Sequence, residues 1–221
     1  MREDWKQVDE LVRSERISHV SFDFWRTLAF SNERFKKKRA QLIRENSNFN
    51  DIDIFAAFSE IGGDYNLKME TKNEIVSPLV LYGRVFEMLS ISKEFHRELY
   101  EETLSLFLKY PPILNKNCLK SLIHFRNTSI SCSITSNTAF IPGKTILNFL
   151  TQSGISENFK FCLFSDATGC SKPHDSMYQL VLDNAFVSSR KEILHIGDNQ
   201  KSDIDGAIKF GFKALFVDGR L

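Results

Sequence analysis

Five short runs of apolar, strand-favouring residues punctuate the chain, at residues 19–24, 129–135, 161–165, 193–197 and 214–217. The first four each end in a polar cluster, which is how a parallel-sheet strand delivers side chains to a site at its carboxyl end. Between the later runs lie helix-length segments with legible boundaries. Asn115 can cap a helix through His124, Gly154 follows residues 143–152, and Gly211 follows residues 202–210. Strand and helix alternate over residues 113–221, so the pattern predicts a doubly wound parallel sheet of the α/β class.

Residues 31–110 read differently, with helical periodicity and no convincing strand. Asp51 can cap a helix through Ile61 that stops at Gly62-Gly63, Ser77-Pro78 is a cap followed by proline at the first helical position, and Pro111-Pro112 ends a segment beginning near Ser92. The pattern therefore predicts a core of residues 1–30 and 111–221 with an all-helical insertion at 31–110. A further helix over residues 4–15 is expected on the outside of the core.

Composition narrows the class. With 221 residues, 42% apolar and 26% charged, the chain can bury one good core plus a smaller module. It has no run near the roughly 18 to 20 apolar residues of a membrane helix. The N-terminus, charged from Arg2, has no signal-peptide pattern, and Cys118, Cys132, Cys162 and Cys170 form neither CxxC nor zinc spacing. A cytoplasmic protein with reduced thiols is expected. A net charge of +1 gives no pull toward nucleic acid or an anionic membrane. One local imbalance stands out: residues 31–44 hold six cations (Arg34, Lys36, Lys37, Lys38, Arg39, Arg44) against Glu33 alone.

Each polar cluster has a chemical reading and a plainer one. Asp23, leaving the first strand, can be a nucleophile or metal ligand, or a turn residue. Thr135-Ser136-Asn137 offers hydroxyl and amide groups to an anionic oxygen, or makes an ordinary turn. Lys172, before Pro173, can neutralise a carboxylate and a phosphate, or sit in solvent. Asp198 and Asp203, across the turn after Gly197, suit Mg²⁺, although Asp203 also favours a helix N-terminus.

Taken in order, the clusters resemble the haloacid dehalogenase superfamily, whose pattern is Asp-x-x-x-Thr-Leu, a strand ending in Ser or Thr, Lys-Pro, and Gly-Asp-x-x-x-x-Asp. Here these are Asp23 to Leu28, Ser136-Asn137, Lys172-Pro173 and Gly197-Asp198 to Asp203. The resemblance implies a Rossmann-like sheet in the order 5-4-1-2-3 with a helical cap after motif one. It implies a hydrolase in which Asp23 attacks the substrate and forms an aspartyl intermediate. Mg²⁺ would be held by Asp23, the Trp25 main-chain carbonyl and Asp198, with Asp203 in support. Ser136 and Asn137 would hold the transferring group of a small anionic metabolite, Thr27 would brace the first loop, and Lys172 would orient Asp23.

Two positions depart from that pattern. The phosphatases carry a second Asp two residues after the nucleophile, as general acid and base, where this chain has Trp25; the glycine that usually follows is Arg26. An indole cannot exchange a proton in that role. Three explanations stay open: phosphoryl transfer from a substrate with a good leaving group or a cap-borne acid, a binding or regulatory protein with little turnover, and carbon–halogen chemistry. Arg34, Lys37 and Lys38, at the start of the cap, are candidates for recruiting the anion, against a solvated helix face. Phe55, Phe58, Phe86, Phe95 and Phe107 read as packing residues. His195 has no evident partner and reads as packed in its strand, and His174, beside the Lys-Pro pair, is the better site candidate of the two.

Overall fold

The computed structural model describes residues 3–128 and 130–218; Ser129, where the second predicted strand begins, lies outside them. Helix α1 (Glu3–Ser14) precedes β1 (His19–Phe22). Strand β2 (Ala29–Phe30) leads into α2 (Glu33–Glu45), α3 (Asp51–Lys72), α4 (Pro78–Met88) and α5 (His96–Lys109), and β3 (Ile113–Leu114) leads out. The chain continues through α6 (Lys116–Arg126), β4 (Ser131–Ser136), α7 (Gly143–Gln152), β5 (Phe161–Phe164), α8 (Ser165–Thr168) and α9 (Asp175–Ala185). It ends with β6 (Ile193–Gly197), a π-helical turn (Gln200–Asp205), α10 (Gly206–Phe210) and β7 (Lys213–Phe216).

The sheet runs β5-β4-β1-β6-β7 with every pairing parallel. Counted as five core strands along the chain, that is the order 5-4-1-2-3. Strand β1 is central because Val20 and Phe22 are fully buried, and its neighbours β4 and β6 contribute Ile134, Leu194 and Ile196 to the same core. On the alternate positions the sheet is polar yet closed. His19 bonds the hydroxyls of Ser131 and Ser133 at 2.7 and 2.8 Å, and Ser21 donates to Thr135 at 2.9 Å. Each buried polar group on this face finds a partner, which makes its burial tolerable.

Three features differ from the sequence expectation. Strands β2 and β3 form a two-residue antiparallel pair, Ala29 with Leu114 and Phe30 with Ile113, that fastens both ends of the inserted helices together. So short a pair carries no readable period. Helix α3 does not stop at Gly62-Gly63 but runs on to Lys72, from an Asn50–Asp53 capping box rather than an Asp51 cap. Gly62 serves close packing there, since a Cβ would come within 3.1 Å of the Phe140 ring. The segment expected as one helix over 202–210 opens with a π-helical turn before α10.

The inserted helices carry their own core of Ile54, Tyr82, Val85, Phe86 and Leu99. Phe140, from the loop after β4, enters it edge-on against Phe58 and Tyr82, with centroids 4.8 and 5.4 Å apart. Phe58, Phe86 and Phe107 are buried as expected, whereas Phe55 and Phe95 lie exposed on the surface. Cys118, Cys132 and Cys170 are buried and unpaired, and Cys162 is half-buried and unpaired. Among the described residues no helix is long and apolar enough to cross a membrane.

Candidate active site

The carboxyl ends of β1, β4 and β6 open onto one cavity of about 420 Å³, walled on the other side by α2 and α3. Here strand order reverses about β1, the place where open α/β sheets bind ligands. Asp23 follows β1 directly, its N–H donating to Ile196 O at 2.8 Å, so the sheet ladder itself fixes where the carboxylate starts.

Lys172 lies at the centre of the site and is almost fully buried. Its ammonium donates to Asp23 Oδ1 at 2.8 Å and Asp203 Oδ1 at 2.6 Å, with His195 Nε2 at 3.4 Å. One histidine tautomer suits the Lys172 and Ser21 contacts, and it leaves Nε2, 3.2 Å from Asp203 Oδ1, sharing the Lys172 ammonium with that oxygen. A neutral His195 ring donates from Nδ1 to Ser21 Oγ at 3.0 Å, Ser21 donates onward to Thr135, and Nε2 accepts from Lys172. Burial and the Lys172 charge both lower the His195 pKa, which keeps the ring neutral. All three ammonium protons then have acceptors, so Lys172 orients Asp23 with no N–H to spare.

Asp203 is held from several sides. Besides Lys172 it accepts from Asn199 N at Oδ2, 2.9 Å, in the π-helical turn. Gly197 makes room for it, since a Cβ there would come within 2.2 Å of Asp203 Cγ. Burial alone would raise the Asp203 pKa, but the Lys172 charge overrides it and holds the group well below the usual carboxylate range. Asp23 moves the opposite way: burial pushes its pKa up, Asp203 and Asp198 add repulsion, and Lys172 offsets only part of this.

Asp198 is raised by burial and steadied by Arg26, whose Nε lies 2.8 Å from Asp198 Oδ2. Arg26 reaches it from a backbone with φ of 60°, a conformation that costs a non-glycine residue roughly 1–2 kcal/mol. Carboxylate oxygens of Asp23, Asp198 and Asp203 lie within 4.8 Å of one another. These are hard donors of the kind Mg²⁺ takes. Both Asp203 oxygens are engaged, by Lys172 and Asn199, whereas Lys172 takes Oδ1 of Asp23 and Arg26 takes Oδ2 of Asp198. The donor set fits a divalent cation held mainly by Asp23 and Asp198.

The remaining sequence candidates divide. Asn137 lines the cavity, but its amide clamps the Lys172 backbone, donating to Lys172 O at 2.8 Å and accepting from Lys172 N at 2.9 Å. Ser136 is fully buried at the end of β4 and is not among the cavity-lining residues. Thr27 is fully buried with its hydroxyl unpaired, and its carbonyl accepts from Asn115 at 2.9 Å. Trp25 lines the cavity. Arg34, Lys37 and Lys38 do not; Arg34 lies over the Tyr110 ring and Lys38 bonds Gln41, while Arg39 of the same run does line it. His195, read as merely packed, contacts the side chains of Ser21, Lys172 and Asp203, and His174 instead bonds Met69 O at 3.1 Å. The signal for His195 was its strand register beside Ser21.

The haloacid dehalogenase-like hydrolase family matches residues 52–217, about three quarters of the chain, and the chain belongs to that family. Asp23 precedes the matched stretch, so its place in the site rests on motif and geometry. Over 64 residues the chain is 38% identical to 5-amino-6-(5-phospho-D-ribitylamino)uracil phosphatase YigB of Escherichia coli K12, covering 29% of this chain and only 26% of that relative's length. The fold is similar to Bacillus subtilis YfnB bound to magnesium, with a TM-score of 0.65 and 20% identity over 90% of this chain and 86% of that one. It is equally similar to a 2-haloacid dehalogenase of Pseudomonas syringae pv. tomato, with a TM-score of 0.64, 20% identity and the same coverage.

Proposed function

We propose that the chain is a Mg²⁺-dependent phosphoryl-transfer hydrolase acting on a small anionic metabolite through an aspartyl intermediate on Asp23. The observation that carries this reading is the convergence of Asp23, Asp198 and Asp203 around the buried Lys172. Asp23 Oδ2 attacks phosphorus, the bond to the leaving oxygen breaks, and water then cleaves the acyl phosphate to restore the carboxylate. Lys172 keeps Asp23 oriented through Oδ1, and Asn137 holds Lys172 in place. Mg²⁺ would be held by Asp23, the Trp25 carbonyl and Asp198, with Asp203 supporting; it would neutralise charge between nucleophile and phosphoryl oxygens. Ser136 and Thr27 shape the loops that receive the transferring group. Residues 31–110 act as the cap on a core of residues 1–30 and 111–221.

The substrate's leaving group follows from Trp25. Besides the three aspartates, Glu70 is the one described carboxylate lining the cavity, and Lys201 and Asn199 engage it. With no free acid in the cavity, the favoured substrates are those whose leaving group departs as a stable anion, such as acyl phosphates and anhydrides. Initial rates with acetyl phosphate test this. Turnover is expected to need Mg²⁺, to stop with chelator, and to fall by about a thousandfold or more in Asp23→Asn. A second reading, carbon–halogen hydrolysis, draws on Trp25 and on an Arg26–Asp198 pair that balances Asp198 without a cation. Metal-independent chloride release from 2-chloropropionate would favour it, and inertness toward both substrates would favour a binding or regulatory role.

A further inference from the structure

Arg39 differs from the other cations of α2. Lys36 and Arg44 have carboxylate partners in Glu33 and Asp51, at 2.6 Å each. Arg39 is in none of the ion pairs of the described residues, and the polar group beside it is the neutral Tyr82 hydroxyl. Its guanidinium lies 3.6 Å from the centroid of Phe58 and 5.4 Å from that of Phe35, so aromatic faces hold it in place. Its Nε is buried, and the buried Tyr82 hydroxyl beside it offers a polar contact but no counter-charge. It is also half-buried in the wall of the cavity that Asp23 enters from the sheet side.

A cation taken partly out of water with no counter-charge leaves a desolvation cost that an arriving anion can offset. With Nε buried, the terminal Nη groups remain to meet a ligand, and such a planar fork matches a carboxylate or a phosphate. We infer that Arg39 is a specificity residue, binding a second oxyanion of the substrate, carboxylate or phosphate, at the end away from the reacting phosphoryl group. This rests on the phosphoryl-transfer reading and adds the substrate class to it: small phosphoryl compounds that carry a further anionic group.

Isothermal titration with Mg²⁺ present, on two matched ligand pairs, tests the assignment. Glycerol 3-phosphate against 3-phosphoglycerate isolates a carboxylate, and fructose 6-phosphate against fructose 1,6-bisphosphate isolates a second phosphate. The wild type is expected to bind the doubly anionic member of at least one pair about ten- to a hundredfold more tightly, the range of a hydrogen bond to a charged group. Arg39→Met should erase that preference while leaving glycerol 3-phosphate affinity within about twofold. Equal binding within both pairs, or a preference that survives Arg39→Met, would overturn the assignment and leave the phosphoryl reading standing. No binding of any of the four would overturn the assignment, and acetyl phosphate turnover decides the phosphoryl reading separately. If Arg39→Met does not fold, Arg39→Lys keeps the charge without the fork; a severalfold loss of preference supports the assignment, and an unchanged preference overturns it.

Discussion

Trp25 is packed edge-on against Phe24, centroids 4.9 Å apart, and against Phe107 at 6.2 Å, so the indole is a fixed wall of the cavity. A carboxylate at this position would stand near the leaving oxygen. Trp25→Asp is therefore expected to raise phosphomonoester hydrolysis by about a hundredfold to ten-thousandfold, the usual worth of a positioned general acid. Steady-state kinetics that show no gain in a folded variant would contradict the missing-acid account. Much of the site was legible at this scale, because Asp23, Lys172, Asp198 and Asp203 each stand at a fixed offset from a strand end. His195 was not legible as a neighbour of the site, since Lys172 reaches it from a loop 23 positions away and Asp203 from the π-helical turn 8 positions on. Arg39 looked like one cation among six, and only the packing of Phe58 and Phe35 singles it out.

The strands deliver the site because their polar face is closed as completely as their apolar one. His19 shows the consequence. Burial, helped by the Lys160 charge, lowers its pKa from 6.5 to about 4, so the folded state holds a neutral ring where the unfolded chain would take up a proton. The stabilising contribution is full above about pH 6.5 and is lost as pH falls toward 4, up to roughly 3 kcal/mol in all. His195, also lowered, acts in the same direction. Denaturant unfolding across this window is expected to show a shallower loss of stability on acidification in His19→Gln than in the wild type; parallel curves would contradict it. The strands were readable because the first four runs end in polar residues, and their order followed from the resemblance that the motifs carry. The course of α3 through Gly62-Gly63 was not, because helix-breaking and close-packing glycines look alike until Phe140 is seen against Gly62. The π-helical turn was hidden for a similar reason: its Ser202 carbonyl is bonded by the distant Tyr178 hydroxyl.

Across the whole molecule, the inserted helices meet the sheet through a few defined links. Phe140 fills their core, the β2–β3 pair closes their base, and the end of α3 docks on the loop before Pro173. There Asn73, in the left-handed conformation with φ of 54°, accepts from Ser171 N at 2.9 Å and Ser171 Oγ at 3.0 Å. Asn73→Gly keeps the backbone permitted while removing both bonds. It is expected to cost about 1–3 kcal/mol and to speed hydrogen exchange in the last turns of α3 above all. A uniform change across the chain would show that this link does not localise the docking. Nothing in the sequence marked Asn73 and Ser171 as partners, because 98 residues separate them. Phosphoryl transfer through Asp23 requires a covalent intermediate on its carboxylate. Acid-quenched protein that has turned over acetyl phosphate with Mg²⁺, digested and examined by mass spectrometry, tests that directly. The expected result is one added phosphoryl group on the peptide containing Asp23, absent after chelation and absent in Asp23→Asn. Turnover that leaves this peptide unmodified and continues undiminished in Asp23→Asn would contradict it.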